Sequence, residues 1–421
     1  MKQYDAIFIG YDQGGKKLAI ELADRNWKVA IIEHSPPFYT HAIARKSNKV
    51  NFLRERHNET LKTHTNITLY DGTASFLSEN TIHVVSDKQD TVLRGKEIFI
   101  NAGSIPIIPT IEGLNESKHV YTSESLPQLS QVPKRLLVIG AGTIGLEFAT
   151  RYANLGSDVS ILETDNRFLP EIDRDIATSM IESLKRRGIN IHLNVRAQAI
   201  YDTADGITLT YTDGSDRIPY YLEGDALLLA TGRRPMIDEL NIDKAGVKMN
   251  ERGAILVNEY LQTTTPHVWA LGDVTGGEPY DYLSIDDTRI ICNKLFGDKS
   301  RSTKDRHPIP FAIFTNPPLA HVGLTEEEAV KRSFFIQVSR FPASVVPHTH
   351  TLQNIDGMLK AVINAHTGQI IGCTLFCANA PEVINTVAVT MKTGQHYSFL
   401  RDFIFAHPSI TEALNELFQP F

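Results

Sequence analysis

The sequence predicts an α/β protein built on two doubly wound parallel sheets, and three observations carry that expectation. An apolar strand, a glycine-containing turn, a helix and a second strand ending in glutamate occur twice, over residues 4–33 and 135–163. Strands joined through a helix in this way lie parallel in one sheet. Two later apolar runs, Ala226–Ala230 and His267–Leu271, each end in a small-residue turn, as buried strands of such sheets do. Finally, 421 residues with 42% hydrophobic content exceed what one core supports, so two or three domains are expected.

A net charge of −7, with Lys and Arg scattered along the chain, leaves no footprint for nucleic acid or an anionic membrane. The opening strand contains Asp5 and is too short and polar for a secretory signal, and no run reaches the length of a membrane span. A soluble, cytoplasmic protein is expected. The three cysteines, Cys292, Cys373 and Cys377, suit a reducing compartment. Cys373 and Cys377 share one β-branched run; four positions apart on a strand they stand about 13 Å from each other, too far for a disulfide. Buried structural thiols fit them better than a redox pair.

In the first repeat, Gly10-Tyr-Asp12-Gln-Gly14-Gly15 follows the strand, and Glu33 stands twenty-three residues after Gly10. The outer glycines suit a tight turn and close helix packing, but Asp12 occupies the middle position of a G-x-G-x-x-G pattern. A carboxylate about 4 Å from a phosphate charge costs roughly 4 kcal/mol at an effective dielectric near 20, about a thousandfold in affinity. Asp12 must therefore turn outward, meet Lys16 or Lys17, or weaken any dinucleotide held there.

The second repeat is regular. Gly140-Ala-Gly142-Thr143-Ile144-Gly145 follows Arg135-Leu-Leu-Val-Ile and opens a helix, with Glu163 twenty-three residues after Gly140. This is the Rossmann-like dinucleotide-binding fingerprint: Gly140 for the turn, Gly142 for backbone approach to the pyrophosphate, Gly145 for helix-on-strand packing. The helix N-terminus supplies free N–H groups and a positive dipole. Glu163 at the adenosine ribose favours NADH over a 2′-phosphorylated nucleotide, although Arg167 close by keeps NADPH open.

Ala226–Pro235, containing Thr231-Gly232-Arg233, and the Gly272-Asp273 turn both read as flavin-side segments, with Asp273 placed to bind a polyhydroxyl chain. His348-Thr-His350 puts two imidazoles on one face of a possible strand, but no third ligand stands nearby and no metal site is expected. Glu326-Glu-Glu before Lys331-Arg332 reads as helix-surface charge. Near the end, Pro408 and Ser409-x-x-Glu412 read as a helix start with a capping box.

Taken in order, the double fingerprint, Ala-Thr231-Gly-Arg-Arg-Pro, Leu-Gly272-Asp, Phe314-Thr-Asn-Pro-Pro-Leu-Ala-His-Val-Gly and His407-Pro-Ser-Ile-Thr-Glu412 resemble the class I pyridine nucleotide-disulfide oxidoreductases. That family includes glutathione reductase, dihydrolipoamide dehydrogenase and mercuric reductase, and the similarity spans essentially the whole chain. Gly272-Asp-Val-Thr-Gly-Gly, Tyr282-Leu-Ser-Ile-Asp-Asp and Arg301-Ser-Thr most resemble its branch that reduces hypothiocyanous acid and confers reactive-chlorine resistance.

The resemblance implies two Rossmann-like dinucleotide-binding domains plus an α+β C-terminal dimerisation domain. FAD would take residues 1–117 and 246–305, NAD(P) residues 118–245, and residues 306–421 would form the interface of a homodimer. FAD and NADH are the implied cofactors and a small-molecule oxidant the implied partner. The implied cofactor-binding residues are Gly10, Gly14, Gly15, Glu33, Gly103, Gly140, Gly142, Thr143, Ile144, Gly145, Glu163, Thr231, Gly232, Arg233, Gly272 and Asp273. His407 and Glu412 match the family's acid–base pair, offered to the partner subunit, and Glu147 matches a carboxylate near the flavin.

One family feature is missing. After the first glutamate the family carries a Cys-x-x-x-Gly-Cys-x-Pro-x-Lys segment, whereas here Glu33 runs through Tyr39 to His41-Ala-Ile-Ala-Arg-Lys with neither cysteine nor that lysine. Glu147 would then be left without its lysine and have a raised pKa. With a dithiol in the polypeptide, hypothiocyanous acid or a disulfide would be the acceptor; without one, a quinone, oxygen or a metal ion. An intact mass of 47.0 kDa identifies the polypeptide that lacks the segment. The alternative from a different class is a non-enzymatic dinucleotide-binding dimer, told apart by NADH binding without flavin binding or turnover.

Overall fold

The computed structural model describes residues 1–33, 61, 63–87, 89–214 and 218–419. The Tyr39–His41 junction, where the dithiol segment is missing, lies outside the described residues. The chain divides into two compact units: one holds the described residues up to Ile107 together with Gly232–Arg306, the other Ile108–Thr231 with His307–Phe421.

In the first unit, Lys2–Ile9 lies parallel between Val29–Glu33 and Gln89–Ile100, with Val268–Ala270 parallel on the far side of the latter. Both faces of the central strand are covered, so it reads as a near-continuous apolar run. Ala6 and Phe8 pack with Leu18, Ala19 and Leu22 of the helix Gln13–Asp24. Ile7 and Ile9 pack on the opposite face with Ile98 and Ile100. Because these strands are parallel, their carboxyl ends share one edge, and the residues that follow them, Gly10, Asn101 and Leu271, gather there. Ligands of open α/β sheets bind at such an edge.

The second unit repeats the design. Ile189–His192, Asp158–Leu162, Arg135–Ile139, Ala226–Leu229 and Val120–Tyr121 form a parallel sheet in that order. The same unit contains a five-stranded antiparallel sheet, Phe311–Ile313, Leu319–Gly323, Ile370–Phe376, Met358–Asn364 and Ile336–Pro342, in that order. The helices Ala380–Lys392 and Ala413–Phe418 share its core, which gives the expected α+β C-terminal segment. A buried lysine ties these parts together: Lys360 Nζ bonds Asp173 at 2.9 Å and Asp175 at 3.0 Å before the helix Arg174–Arg186 and in its first turn, and Glu326 at 2.7 Å.

Two sequence expectations need correction. The Ala226–Pro235 segment is not wholly flavin-side: Ala226–Leu229 pairs with Arg135–Ile139, so its end serves the second cradle, and the chain joins the first unit only from Gly232. His348 and His350 lie on the short helix Pro347–Thr351, not on a strand. Pro347 presets the helical φ at its first position, and His350 Nε2 is 2.6 Å from the Ser344 carbonyl oxygen. Among the described residues no group of three His, Cys, Asp or Glu could hold a metal ion, and no helix is long and apolar enough to cross a membrane.

Cys373 lies on Ile370–Phe376 and Cys377 directly after it, both buried and unbonded, and Cys292 lies on the helix Asp281–Phe296. Burial pushes the thiol of Cys377 up to about 12 and that of Cys292 up to about 11. None is poised as a thiolate nucleophile.

Candidate active site and cofactor cradles

The second cradle is open. Gly142 is the N-cap of the helix Thr143–Asn154, accepts no bond through a side chain, and a Cβ built on it would meet nothing within 4 Å. The helix N-terminus is thus free to face a pyrophosphate, with half-buried Thr143 and Ile144 in its first turn. Behind it, Gly145 packs so tightly on the Gly140 carbonyl that any side chain there would collide, and Gly140 sits against the Ala230 carbonyl and the Thr231 backbone. Glu163 is fixed beneath the turn by accepting the Ala141 N–H at 2.8 Å and the Asp165 N–H at 2.9 Å. Arg167 pairs with Glu327 at 3.1 Å.

The first cradle has the same frame and a different mouth. Gly10 has a φ of +72° and backs onto the Asn101 carbonyl, Gly14 packs on Ser284, and Gly15 packs on the Asn101 side chain. Thr288 Oγ1 donates to the Gly14 carbonyl at 2.7 Å, pinning the first helix to Asp281–Phe296. Asp12 resolves its three alternatives by turning inward: as N-cap it accepts the Gly15 N–H through Oδ1 at 2.9 Å, and it pairs with neither Lys16 nor Lys17 among the described residues. Its own N–H donates to Asn101 Oδ1 at 2.7 Å, and Asn101 Nδ2 donates to the Leu271 carbonyl at 2.9 Å.

Around this mouth, Asp273 accepts the Ser104 hydroxyl at 2.5 Å, and Arg233 donates from Nε to Ser104 Oγ at 2.8 Å and from Nη2 to the Ser104 carbonyl at 2.6 Å. Gly232 accepts the Ile107 N–H at 3.0 Å, and Gly103, half-buried two residues beyond Asn101, accepts the Met236 N–H at 3.1 Å. Gly272 donates to Asp287 at 2.7 Å; burial raises the Asp287 carboxyl, against the pull of Arg306, with which it pairs. Burial, then Asp12 and Asp273, raises the carboxyl of Asp281. Glu33 ends its strand at this edge, half-buried.

This frame fits a dinucleotide at Glu33, Asp273 and the glycine turns. At the pyrophosphate the fit is weakened, because the Asp12 carboxylate already accepts the Gly15 N–H at the helix N-terminus. Asn101 and Ser104 were not singled out in the sequence, although the apolar run Ile98-Phe-Ile ending in Asn101-Ala-Gly103 carries the signature of a strand reaching a site.

His407 and Glu412 form a third group. His407 Nδ1 and Glu412 Oε2 are 2.7 Å apart. Glu412 Oε1 accepts the Ser409 N–H, and Ser409 Oγ accepts the Glu412 N–H, each at 3.2 Å, but the helix starts later than expected: Ala413–Phe418 has Glu412 itself as N-cap with no side-chain cap bond, so these reciprocal bonds close the turn ahead of the helix. Burial works against the Glu412 carboxylate, but His407 and the Ser409 N–H hold its pKa below the usual value. The imidazole is thereby oriented while its side chain stays 70% exposed. Glu147 is not left without a partner, since it accepts the Phe314 N–H at 3.0 Å; burial still pushes its carboxyl up.

Two nucleotide cradles of this kind, in a chain that continues into an antiparallel sheet and, near its end, a histidine–carboxylate pair, mark a class of dinucleotide-dependent oxidoreductases. The chain belongs to the pyridine nucleotide-disulphide oxidoreductase family: residues 4–290 match that family and residues 309–418 match its dimerisation domain. It is 38% identical over 443 aligned positions, 99% of each chain, to the probable pyridine nucleotide-disulfide oxidoreductase RclA of Escherichia coli (strain K12). Since this chain has 421 residues, at least 22 of those 443 positions (443 − 421) hold none of its residues. The mercuric reductase of Staphylococcus aureus is 33% identical over 347 positions, covering 82% of this chain and 62% of that one. Among solved structures, the HOCl-induced flavoprotein disulfide reductase RclA of Escherichia coli superposes with a TM-score of 0.90 at 38% identity over 99% of both chains. A Cu(II) complex of that protein superposes with a TM-score of 0.92 at 37% identity over the full length of both.

Proposed function

We propose that the chain is an NAD(P)H-dependent flavoprotein oxidoreductase that passes electrons from NADH to a small oxidant without a dithiol. The observation that carries this reading is the second cradle: an uncapped helix N-terminus at Gly142 with Glu163 fixed beneath the turn. Flavin, when bound, supplies hydride acceptance and onward electron transfer; the protein supplies binding, position and a proton. Glu163 supports NADH as the preferred donor, while Arg167, a candidate for holding a 2′-phosphate, is paired with Glu327 at the surface. His407, oriented by Glu412, supplies an exposed proton carrier.

The three cysteines are buried or have raised pKa values, so disulfide-type chemistry finds no support in them. Quinones, oxygen and metal ions are the acceptors that remain. Cu(II) is favoured among these, because the Escherichia coli relative is described as a Cu(II) complex, both unaltered and with one cysteine replaced by serine. We assign FAD to residues 1–117 and 246–305, NAD(P) to 118–245, and the subunit interface of a homodimer to 306–421. Exposed Phe399, Phe403 and Ile404 support that interface; Ile404 is 93% exposed.

The test is NADH oxidation by the purified protein with added FAD, using Cu(II) or a quinone as acceptor. Turnover that requires both nucleotides supports the reading. Calorimetric NADH binding with no flavin-dependent oxidation selects the non-catalytic dimer instead, which the self-capped first cradle favours.

A further inference from the structure

The two cradles share a frame, but the helix N-cap is Asp12 in one and Gly142 in the other. We propose that Asp12 makes the flavin of this chain a dissociable ligand, bound and released on the timescale of use, and not a permanently held group. The inference rests on the oxidoreductase reading above.

The helix Thr143–Asn154 begins at Gly142 with its N-terminal N–H groups uncapped by any side chain. The helix Gln13–Asp24 begins at Asp12, whose carboxylate takes the Gly15 N–H at 2.9 Å. An N-terminal helix turn holds a phosphate through those N–H groups and its partial positive charge, and here a carboxylate of the chain itself occupies that role.

The carboxylate is also held in place. Its backbone N–H is tied to the buried Asn101 at 2.7 Å, and Asn101 is tied in turn to Leu271. Its second oxygen reaches toward the Gly272 turn, lying 2.7 Å from where a Cβ on Gly272 would stand. Asp12 therefore spans the gap between the two turns that frame the cradle.

Among the described residues, no cation is paired with Asp12. Asp273 and Asp281 lie on the same side, and Arg306 is engaged by Asp286 and Asp287. A diphosphate entering here must displace Asp12 from its N–H and meet its carboxylate, a penalty of about a thousandfold in affinity at about 4 Å and an effective dielectric near 20.

The test is a fluorescence titration of FAD against the dialysed protein, its Asp12→Gly and Asp12→Asn variants, with NADH titrated in parallel. Glycine is itself tolerated at a helix N-cap, so the first variant folds, and asparagine keeps the cap without the charge. Wild type is expected to lose FAD on dialysis. Asp12→Gly is expected to tighten FAD binding by about a hundredfold or more, Asp12→Asn to recover much of that gain, and NADH affinity to stay constant in all three. Wild type that keeps FAD through dialysis, with no gain in either variant, overturns the proposal while leaving the oxidoreductase reading intact. Failure of all three to bind FAD while NADH binds overturns both.

Discussion

Glu412 holds His407 with one carboxylate oxygen and the N–H of Ser409 with the other, so one carboxylate closes the turn ahead of the helix Ala413–Phe418 and orients the imidazole. His407 Nδ1 lies 2.7 Å from Glu412 Oε2, and the imidazole side chain is 70% exposed. Glu412→Gln should therefore loosen two things together. Weakening the hydrogen bonds to His407 and Ser409 costs about 1 kcal/mol, a typical value for such a bond, and the oxidant-dependent rate falls with a changed pH profile. Glu412 has a lowered pKa in the folded chain, so its stabilisation is present above the ordinary carboxylate value and is lost as pH falls through the lowered one. Thermal unfolding followed against pH checks this: the gap between wild type and variant should close in acid.

The contrast between the cradles predicts a reciprocal result at Gly142. A Cβ there meets nothing within 4 Å, so Gly142→Asp is accommodated and can cap its own helix as Asp12 does. NADH affinity should fall by about a hundredfold or more by the same charge argument, with FAD affinity unchanged. Calorimetry measures both.

The thiols should be silent. With Cys377 pushed up to about 12 and Cys292 to about 11, the native protein should react slowly with an alkylating reagent near neutral pH and fully once denatured. Replacing all three cysteines should leave NADH oxidation unchanged, which a steady-state assay decides.

Lys360 is 2% exposed and faces Asp173, Asp175 and Glu326. Burial alone would lower its pKa, but the three carboxylates raise it. Lys360→Met strands the buried Asp173 and should destabilise the chain by about 3 kcal/mol. The contribution of Lys360 is complete below the ordinary lysine value and is lost as pH rises through the raised one. Urea unfolding at neutral and alkaline pH gives both the size and the sign.

Much of this architecture is legible in the sequence because glycine spacing and strand periodicity are local signals. Gly140, Gly142, Gly145 and Glu163 mark the second cradle by their spacing, and Ser409-x-x-Glu412 announces its reciprocal bonds, although the helix itself begins only at Ala413. Orientation was not legible: whether Asp12 faced a lysine, solvent or its own helix depends on Asn101, eighty-nine residues away. Sheet membership was not legible either, since Ala226–Leu229 reads alike for either parallel sheet and only its pairing with Arg135–Ile139 decides. The His348–His350 pair was misread because alternation of two residues does not distinguish a strand from one helical turn after a proline.

The most direct test of the central claim is anaerobic addition of NADH to the protein with saturating FAD, watching the yellow flavin absorbance. Bleaching with matched loss of NADH, then return of the colour when Cu(II) or a quinone is added, is the predicted result. Flavin that stays yellow while NADH is demonstrably bound would contradict the assignment of this chain as an oxidoreductase.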